Sequence, residues 1–171
     1  HSTSRRQRQM CIRDRPQDRP WTPQVYQALG DVWFDEAKYP QAIEVWNLAL
    51  KRWPNNPKAP AIQNSIARAY TRANDQDKAV QARALLGNYV EDSAWWNANM
   101  DHPIEQREAE KLAEEAVVSA AVYHHQEAQR LRKLGVQDQD PELIARAQVE
   151  YGLAAKGYRC LLYTSPSPRD S

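Results

Sequence analysis

Apolar residues recur three and four positions apart along most of the chain between Pro16 and Arg159, without the strict alternation of a strand. Ala, Leu, Gln, Glu and Arg, which favour helices, dominate the same stretch. The pattern therefore predicts an all-α fold. We expect six helices, at residues 22–37, 40–53, 59–73, 76–90, 103–135 and from 141 onward.

Several boundaries of these helices carry residues that favour helix ends. Thr22 is expected to be the N-cap of the first helix, with Pro23 at the first helical position. Pro54 should end the second helix and Gly135 should close the fifth. Asp140 precedes a proline and should cap the sixth helix. Amphipathic helices joined by such short turns suggest repeated hairpins.

The first predicted hairpin has small residues at two positions where helices would cross. Gly30 and Ala42 leave room for close approach, and Leu29, Trp33 and Trp46 are expected to fill the space around the crossing. The hairpin resembles a repeat of the tetratricopeptide family at eight positions: Tyr26, Leu29, Gly30, Trp33, Ala42, Trp46, Ala49 and Pro54. This resemblance implies stacked antiparallel hairpins in a right-handed α-solenoid of about three irregular repeats.

The resemblance extends over residues 16–159 but is closest in the first repeat. In the second repeat Gln63 and Arg83 stand where large apolar residues are usual, and in the third we take Tyr123 as the counterpart of Trp33 and Tyr70. The wider pattern is similar to periplasmic tetratricopeptide proteins of Gram-negative bacteria that serve outer-membrane biogenesis or gliding motility. It implies a location in the periplasm or cell envelope.

Both ends of the chain resemble translated sequencing-adapter DNA. The codons that can encode residues 10–14 and 160–165 form an inverted repeat of about 18 nucleotides, as expected for a fusion scar on each side of an insert. We therefore expect residues 1–15 and 160–171 to be artefacts and residues 16–159 to be a fragment of a natural helical domain. The alternatives are a disordered basic tail and a Ser/Pro-rich linker.

Excluding these ends changes what the composition implies. The formal net charge of the chain is +1, but residues 1–15 hold five arginines and one aspartate, so the remainder is mildly acidic. A mildly acidic domain argues against nucleic-acid binding. Both cysteines, Cys11 and Cys160, lie in the excluded ends, which leaves no thiol for a disulfide or zinc site. An apolar run of the roughly 20 residues needed to cross a bilayer is also lacking.

The sequence offers little catalytic chemistry. His124 and His125 are adjacent, so on a helix they point about 100° apart and cannot both bind one metal ion. Asp138 and Asp140 lack the glycine and the terminal glutamate of a calcium loop. No phosphate-binding loop or nucleophile motif occurs between residues 16 and 159. We therefore predict a protein that is not an enzyme and has no metal site and no cofactor.

The tetratricopeptide resemblance implies a concave groove that binds peptides or partner proteins. The implied groove residues are Gln27, Asp31, Phe34, Asp35, Asn64, Arg68, Thr71 and Arg72, with His124 and His125 added from the third repeat. Asn64 could hydrogen-bond a peptide backbone, and Arg68 with Arg72 could hold a carboxylate. An acidic or carboxylate-bearing peptide is the expected partner, although the same residues could simply be solvated surface.

Two points remain open at the level of sequence. Trp95 and Trp96 lie between predicted helices, where they could either plug the end of the second hairpin, which we favour, or anchor a partner. The leading functional hypothesis is a protein-binding scaffold. The alternatives are a regulatory or targeting segment of a larger enzyme and a purely structural helical spacer, since fold alone does not determine function.

Overall fold

The computed structural model describes residues 21–164, and these residues form helices and turns without a β-strand. The predictions for residues 1–15 and 165–171 lie outside the described part. We number the helices in chain order: α1 (Thr22–Asp35), α2 (Tyr39–Arg52), α3 (Ala59–Arg72), α4 (Gln76–Ala84), α5 (Ala94–Ala98), α6 (Pro103–Gln137) and α7 (Pro141–Thr164). A short 3-10 segment, Leu85–Tyr89, follows α4. The all-α prediction is confirmed.

Most predicted helix boundaries lie within two residues of the observed ones, with three corrections. Thr22 is the first residue of α1 rather than its N-cap, which is Trp21, and no side chain caps this helix. The helix expected at 76–90 ends at Ala84 because the chain tightens into the 3-10 segment. The residues around Trp95, expected to be irregular, form the short α5, whose first turn is capped by the Ser93 side chain.

Three hairpins share one type of turn. A residue with positive φ, namely Ala37, Asn74 or Gln139, ends each turn, and the amide that follows it donates to a carbonyl five residues earlier. This is the closing hydrogen bond of a Schellman motif, which satisfies a carbonyl at the helix end. The turns define the hairpins α1–α2, α3–α4 and α6–α7.

Gly135 does not close α6 in the way expected. The helix continues to Gln137, and the residue with positive φ is Gln139. A Cβ atom on Gly135 would lie 2.8 Å from Cγ1 of Ile144, so the glycine is needed because α7 approaches closely at this point. Gly157 on α7 is similar, since its Cβ would lie 2.8 Å from that of Ala121.

The first hairpin packs around the small residues that the sequence indicated. A Cβ on Gly30 would lie 2.1 Å from Nε1 of Trp46, which is itself 1% exposed, and Ala42 and Ala49 are buried. Tyr26 is half-buried and packs edge-on against Trp53, with ring centroids 5.2 Å apart. These contacts account for the pairing of α1 and α2.

Leu29 is an exception, because it was expected to fill the crossing and instead is 41% exposed. Trp33 is half-buried and packs against the core, as expected. Pro54 lies just after the end of α2, also as expected.

The main core joins the first two hairpins. Its buried members come from α2, α3 and α4: Ala42, Ile43, Trp46, Ile62, Ile66, Ala67, Ala69 and Ala82. Gln63 is buried in this region although a large apolar residue is usual there. Its Nε2 donates to the carbonyl oxygen of Ala82, near the end of α4, at 2.8 Å. This hydrogen bond gives the buried amide of Gln63 a partner.

Candidate peptide-binding cleft

A small cleft opens between α1 and α3, with a residue of α2 in its wall. Three side chains of α1 and two of α3 line it, with Trp46 of α2 as the sixth: Asp31, Phe34, Asp35, Ser65, Arg68 and Trp46. The cleft has a volume of about 150 Å³. Asp31 lies three and four positions before Phe34 and Asp35, and Ser65 lies three positions before Arg68, so each set lies on one side of its helix.

Trp46 forms the buried part of the cleft. Its indole Nε1 donates to the backbone carbonyl oxygen of Gln27 at 3.3 Å, which holds the ring against α1. The ring also lies 6.0 Å, centroid to centroid, from the tilted ring of Phe34. Gln27, which was expected to contact a partner, therefore contributes its backbone to the support of the cleft, and its side chain is half-buried.

The electrostatics of the cleft involve one guanidinium and two carboxylates. The Arg68 guanidinium carbon lies 5.5 Å from the centroid of the Phe34 ring, a cation–π arrangement that holds the charge over the aromatic face. Burial raises the pKa of Asp31, the neighbouring Asp35 carboxylate raises it further, and Arg68 opposes both effects. The carboxylates of Asp31 and Asp35 therefore repel each other in a partly desolvated environment, and the positive charge of Arg68 offsets only part of this repulsion.

The size and polarity of the cleft limit what it can hold. Small-molecule sites commonly have volumes of about 300–1,000 Å³, so a cleft of about 150 Å³ suits a single side chain better than a whole small ligand. Arg68 offers donors to a carboxylate, whereas Asp31 and Asp35 offer acceptors to an N–H group or a cation. A short peptide segment can supply both kinds of group at once.

The structure brings together some of the predicted groove residues and separates others. Asp31, Phe34, Asp35 and Arg68 line one cleft, as the groove assignment implied. Asn64 and Arg72 lie on the same helix as Arg68 but do not line the cleft. Thr71 is engaged internally, since its hydroxyl donates to the Ala67 carbonyl oxygen and accepts from Nη2 of Arg83, both at 3.0 Å.

His124 lies apart from this cleft, against α7. Its Nδ1 lies 2.6 Å from Oε2 of Glu150, and both side chains are mostly buried. The neighbouring His125 instead contacts Tyr158 and Gln129, so the two histidines have different partners. Trp33, Tyr70 and Gly135 each accept the closing hydrogen bond of their turn. By this criterion the counterpart of Trp33 and Tyr70 in the third hairpin is Gly135 and not Tyr123. The structure thus does not place His124 beside Arg68.

Tyr123 has a structural partner of its own. Its hydroxyl donates to Oδ1 of Asp77 on α4, and this hydrogen bond is the main reason that the pKa of Tyr123 rises to about 12. The bond links the long α6 to the second hairpin.

A larger groove borders His124, with a volume of about 680 Å³. Its walls are mainly apolar, from Val117 and Ala120 on α6 and Leu153 on α7. Cys160 and Leu161 also line it, and both lie in the segment 160–171 that we predict from the sequence to be adapter-derived. We therefore take the cleft at Arg68, whose lining lies wholly within residues 16–159, as the candidate site.

Trp95 is buried, as the plug interpretation predicts. It is 3% exposed, its Nε1 donates to the Asn56 carbonyl oxygen at 2.8 Å, and it packs with Ala59 and Ala109. Trp96 is half-buried and packs against the same cluster. The plug prediction is confirmed for Trp95, which ties the α2–α3 loop to α6.

Sequence reasoning missed Ser65 and the position of Trp46 at the cleft. Ser65 lies one turn before Arg68, a spacing that could have indicated a shared face, and Trp46 was assigned to the core only. Among residues 21–164 no group of three or more His, Cys, Asp or Glu side chains could hold a metal ion. Within the same residues no helix is long and apolar enough to cross a membrane. No family model, curated protein or solved structure matches this chain.

Proposed function

We propose that this protein is a non-enzymatic interaction scaffold, built of tetratricopeptide-like hairpins stacked as a solenoid, that binds a peptide segment of a partner protein in the cleft between α1 and α3. The observation that carries this proposal is that Arg68, Asp31 and Asp35 line one cleft together with Phe34, whose ring lies under the Arg68 guanidinium. These groups are not needed to cover the core, since Arg68, Asp31 and Asp35 are exposed.

The charges of the cleft narrow the choice of peptide. A peptide with acidic groups alone would meet Arg68 but also two carboxylates at close range. A guest that places a carboxylate on Arg68 and an N–H group or basic side chain near Asp31 satisfies all three. The expected partner is therefore a carboxylate-bearing peptide with a donor next to the carboxylate.

Two arginines on α3 provide a matched test. Arg68 lines the cleft and Arg72, one turn later, does not, while both are exposed. Peptides are first selected from a random display library on the wild-type protein, and their affinities are then measured for Arg68→Glu and Arg72→Glu by titration. Loss of a charge-assisted hydrogen bond costs about 1.5–3 kcal/mol, so Arg68→Glu should weaken binding about tenfold or more.

Arg72→Glu should change the affinity only slightly and should unfold within about 0.5 kcal/mol of the wild type. Arg68→Glu gives up the contact with the Phe34 ring and should lose about 1 kcal/mol of stability, and both variants should keep the wild-type circular dichroism. Higher salt should weaken the wild-type complex. Equal affinity of the wild type and Arg68→Glu would place the peptide site elsewhere on the molecule. Failure to select any peptide that binds the wild type would argue against the scaffold itself.

A further inference from the structure

A polar groove lies where the second hairpin meets α6. Its walls include Thr71 at the end of α3, Gln76 and Arg83 of α4, and residues of α6 between positions 119 and 130. The groove has a volume of about 640 Å³, which falls within the range of about 300–1,000 Å³ common for small-molecule sites. The candidate peptide cleft is lined by different residues. We call this second site the Arg83 groove.

Arg83 differs from the other basic residues in its surroundings. Among residues 21–164 every Lys and Arg is exposed except Arg52 and Arg83, which are half-buried. Arg52 lies over the ring of Trp53, whereas Arg83 donates to a neutral group, the Thr71 hydroxyl, and forms no ion pair with a carboxylate of the described residues. A partly desolvated cation without a counter-charge is unfavourable. An anion bound in the groove would supply that charge.

The position of Arg83 in the hairpin points the same way. Aligning the equivalent turns after α1 and α3 makes Arg83 the counterpart of Trp46, which is 1% exposed. A guanidinium in that place contributes less apolar burial than an indole and brings a charge that needs water or a partner. Core packing alone therefore does not explain the arginine, whereas a bound anion does.

The acidic groups near the groove already have partners. The Glu127 carboxylate accepts from Nε and Nη2 of Arg130 at 2.7 and 2.5 Å, and this pairing lowers the pKa of Glu127. The Asp77 carboxylate accepts from the Tyr123 hydroxyl and does not line the groove. Two guanidinium groups and one carboxylate therefore line it, which gives a formal charge of +1.

The rest of the lining is polar. Gln76 and Gln126 present amide groups and Ser119 a hydroxyl, and these three side chains have no hydrogen-bond partner within residues 21–164. Val122 is the one aliphatic side chain of the described residues that lines the groove. A ligand must therefore carry donors and acceptors of its own beside its charge, as hydroxyl groups do, and a fatty acid would find no apolar wall.

The polar groups lie along both walls of the groove. Gln76 and Arg83 are seven residues apart on α4, and Ser119 and Gln126 are seven residues apart on α6. Residues two turns apart share one side of a helix and are separated by about 10 Å along its axis. The site is therefore longer than a single phosphate or carboxylate group.

We propose that the Arg83 groove binds a small anionic sugar, with its oxyanion on Arg83 and its hydroxyl groups on Gln76, Gln126 and Ser119. The oxyanion is a phosphate or a carboxylate, since the N–H groups of a guanidinium fork match both. The inference does not depend on peptide binding at Arg68.

Titration with four compounds tests the proposal. The isotopically labelled full chain is titrated with glucose 6-phosphate, glucuronate, inorganic phosphate and glucose, and the Nε–H resonance of Arg83 is followed by NMR. We expect saturable shifts with the two sugar anions. The better of them should bind at least about tenfold more tightly than inorganic phosphate or neutral glucose, and its identity assigns the oxyanion as phosphate or carboxylate.

The test variant is Arg83→Gln, and its matched control is Arg132→Gln, which removes the same charge from an exposed position of α6 outside the groove. Binding to both variants is followed through the backbone amides of Ser119 and Gln126. Arg83→Gln should bind the sugar anions at least about tenfold more weakly, which corresponds to about 1.4 kcal/mol. Arg132→Gln should bind them like the wild type, and both variants should keep the wild-type circular dichroism.

A third variant, Gln126→Ala, tests the hydroxyl contacts. It should weaken the sugar anions and leave the affinity for inorganic phosphate unchanged, because it removes a neutral hydrogen-bonding group and no charge.

Three outcomes would overturn the proposal. Absence of saturable shifts with both sugar anions at about 10 mM would mean that the groove has no useful affinity for this class of ligand. Equal binding by the wild type and Arg83→Gln would move the anion to another basic residue. Binding of inorganic phosphate as tightly as the sugar anions would leave a general anion site without sugar recognition.

Discussion

In each of the first two hairpins the first helix ends in the same type of turn, yet these two helices, α1 and α3, differ in how many residues they bury. α1 buries one residue fully, Gly30, whereas α3 buries seven. The first hairpin nevertheless has the closer resemblance to a tetratricopeptide repeat. The signature residues concern the contact between the two helices of one hairpin. The burial of a helix also depends on whether a helix outside the hairpin packs against it. A good signature therefore does not by itself mean a well-covered helix.

The largest effect expected from this comparison is at Trp46 and its counterpart Arg83 in the second hairpin. Trp46 is 1% exposed, whereas Arg83 is half-buried and donates to the Thr71 hydroxyl. Trp46→Ala should lower the free energy of unfolding by about 3–5 kcal/mol because it leaves a large cavity. Arg83→Ala should lower it by only about 1 kcal/mol. Urea unfolding measures both, and similar losses would contradict the different roles of the two positions.

The next effect concerns the close approach at Gly30. A Cβ there would lie 2.1 Å from Trp46 Nε1, while a Cβ on Gly152 of α7 meets nothing within 4 Å. Gly30→Ala should therefore destabilise by about 1–3 kcal/mol through overpacking. Gly152→Ala should stabilise by up to about 1 kcal/mol through helix propensity. If both changes stabilised the protein in thermal unfolding, the crossing of α1 and α2 would be looser than described.

A smaller effect is expected at Gln63, the polar residue in the second hairpin where the first has Tyr26. Gln63→Leu removes the 2.8 Å hydrogen bond to the Ala82 carbonyl oxygen and leaves that acceptor without its side-chain partner. The expected loss is about 1–2 kcal/mol in the free energy of unfolding. Gln41→Leu, at an exposed position of α2, serves as the control and should change the free energy by less than about 0.5 kcal/mol. A neutral Gln63→Leu would show that packing alone holds α4 on α3.

The sequence predicted the helices well because each is determined by local periodicity and by prolines and caps. It predicted Gly30, Ala42 and Trp46 for a similar reason, since they pack within one hairpin. It failed for Leu29, because helical spacing indicates an apolar face but not whether a neighbour covers it. His124 was assigned to the same groove as Arg68, but in the structure it lies against Glu150 of α7. The repeat register is irregular in α6, and only the turn at Gln139 defines it.

The candidate site was predicted in part. Asp31 and Arg68 were both assigned to one groove, and they do line one cleft. They occupy the same position in successive hairpins, so their helices bring opposite charges to the two walls. Ser65 and Trp46 were missed and Asn64 and Arg72 were included, because the exact lining depends on how three helices approach one another, which the pattern of a single helix does not contain.

The smallest expected effect tests this pairing of Asp31 with Arg68 through proton binding. Burial and the Asp35 carboxylate raise the pKa of Asp31 above its ordinary value of 3.8, so the folded protein holds this proton more tightly than the unfolded chain. The resulting stabilisation is present below the unfolded pKa and is lost as the pH rises through the folded pKa. Because Asp31 is largely exposed, its titration is a better measure than stability. Carboxyl NMR should show a further rise in the pKa of Asp31 in Arg68→Gln and a fall in Asp35→Asn, and an unchanged titration in Arg68→Gln would mean that the guanidinium does not act across the cleft.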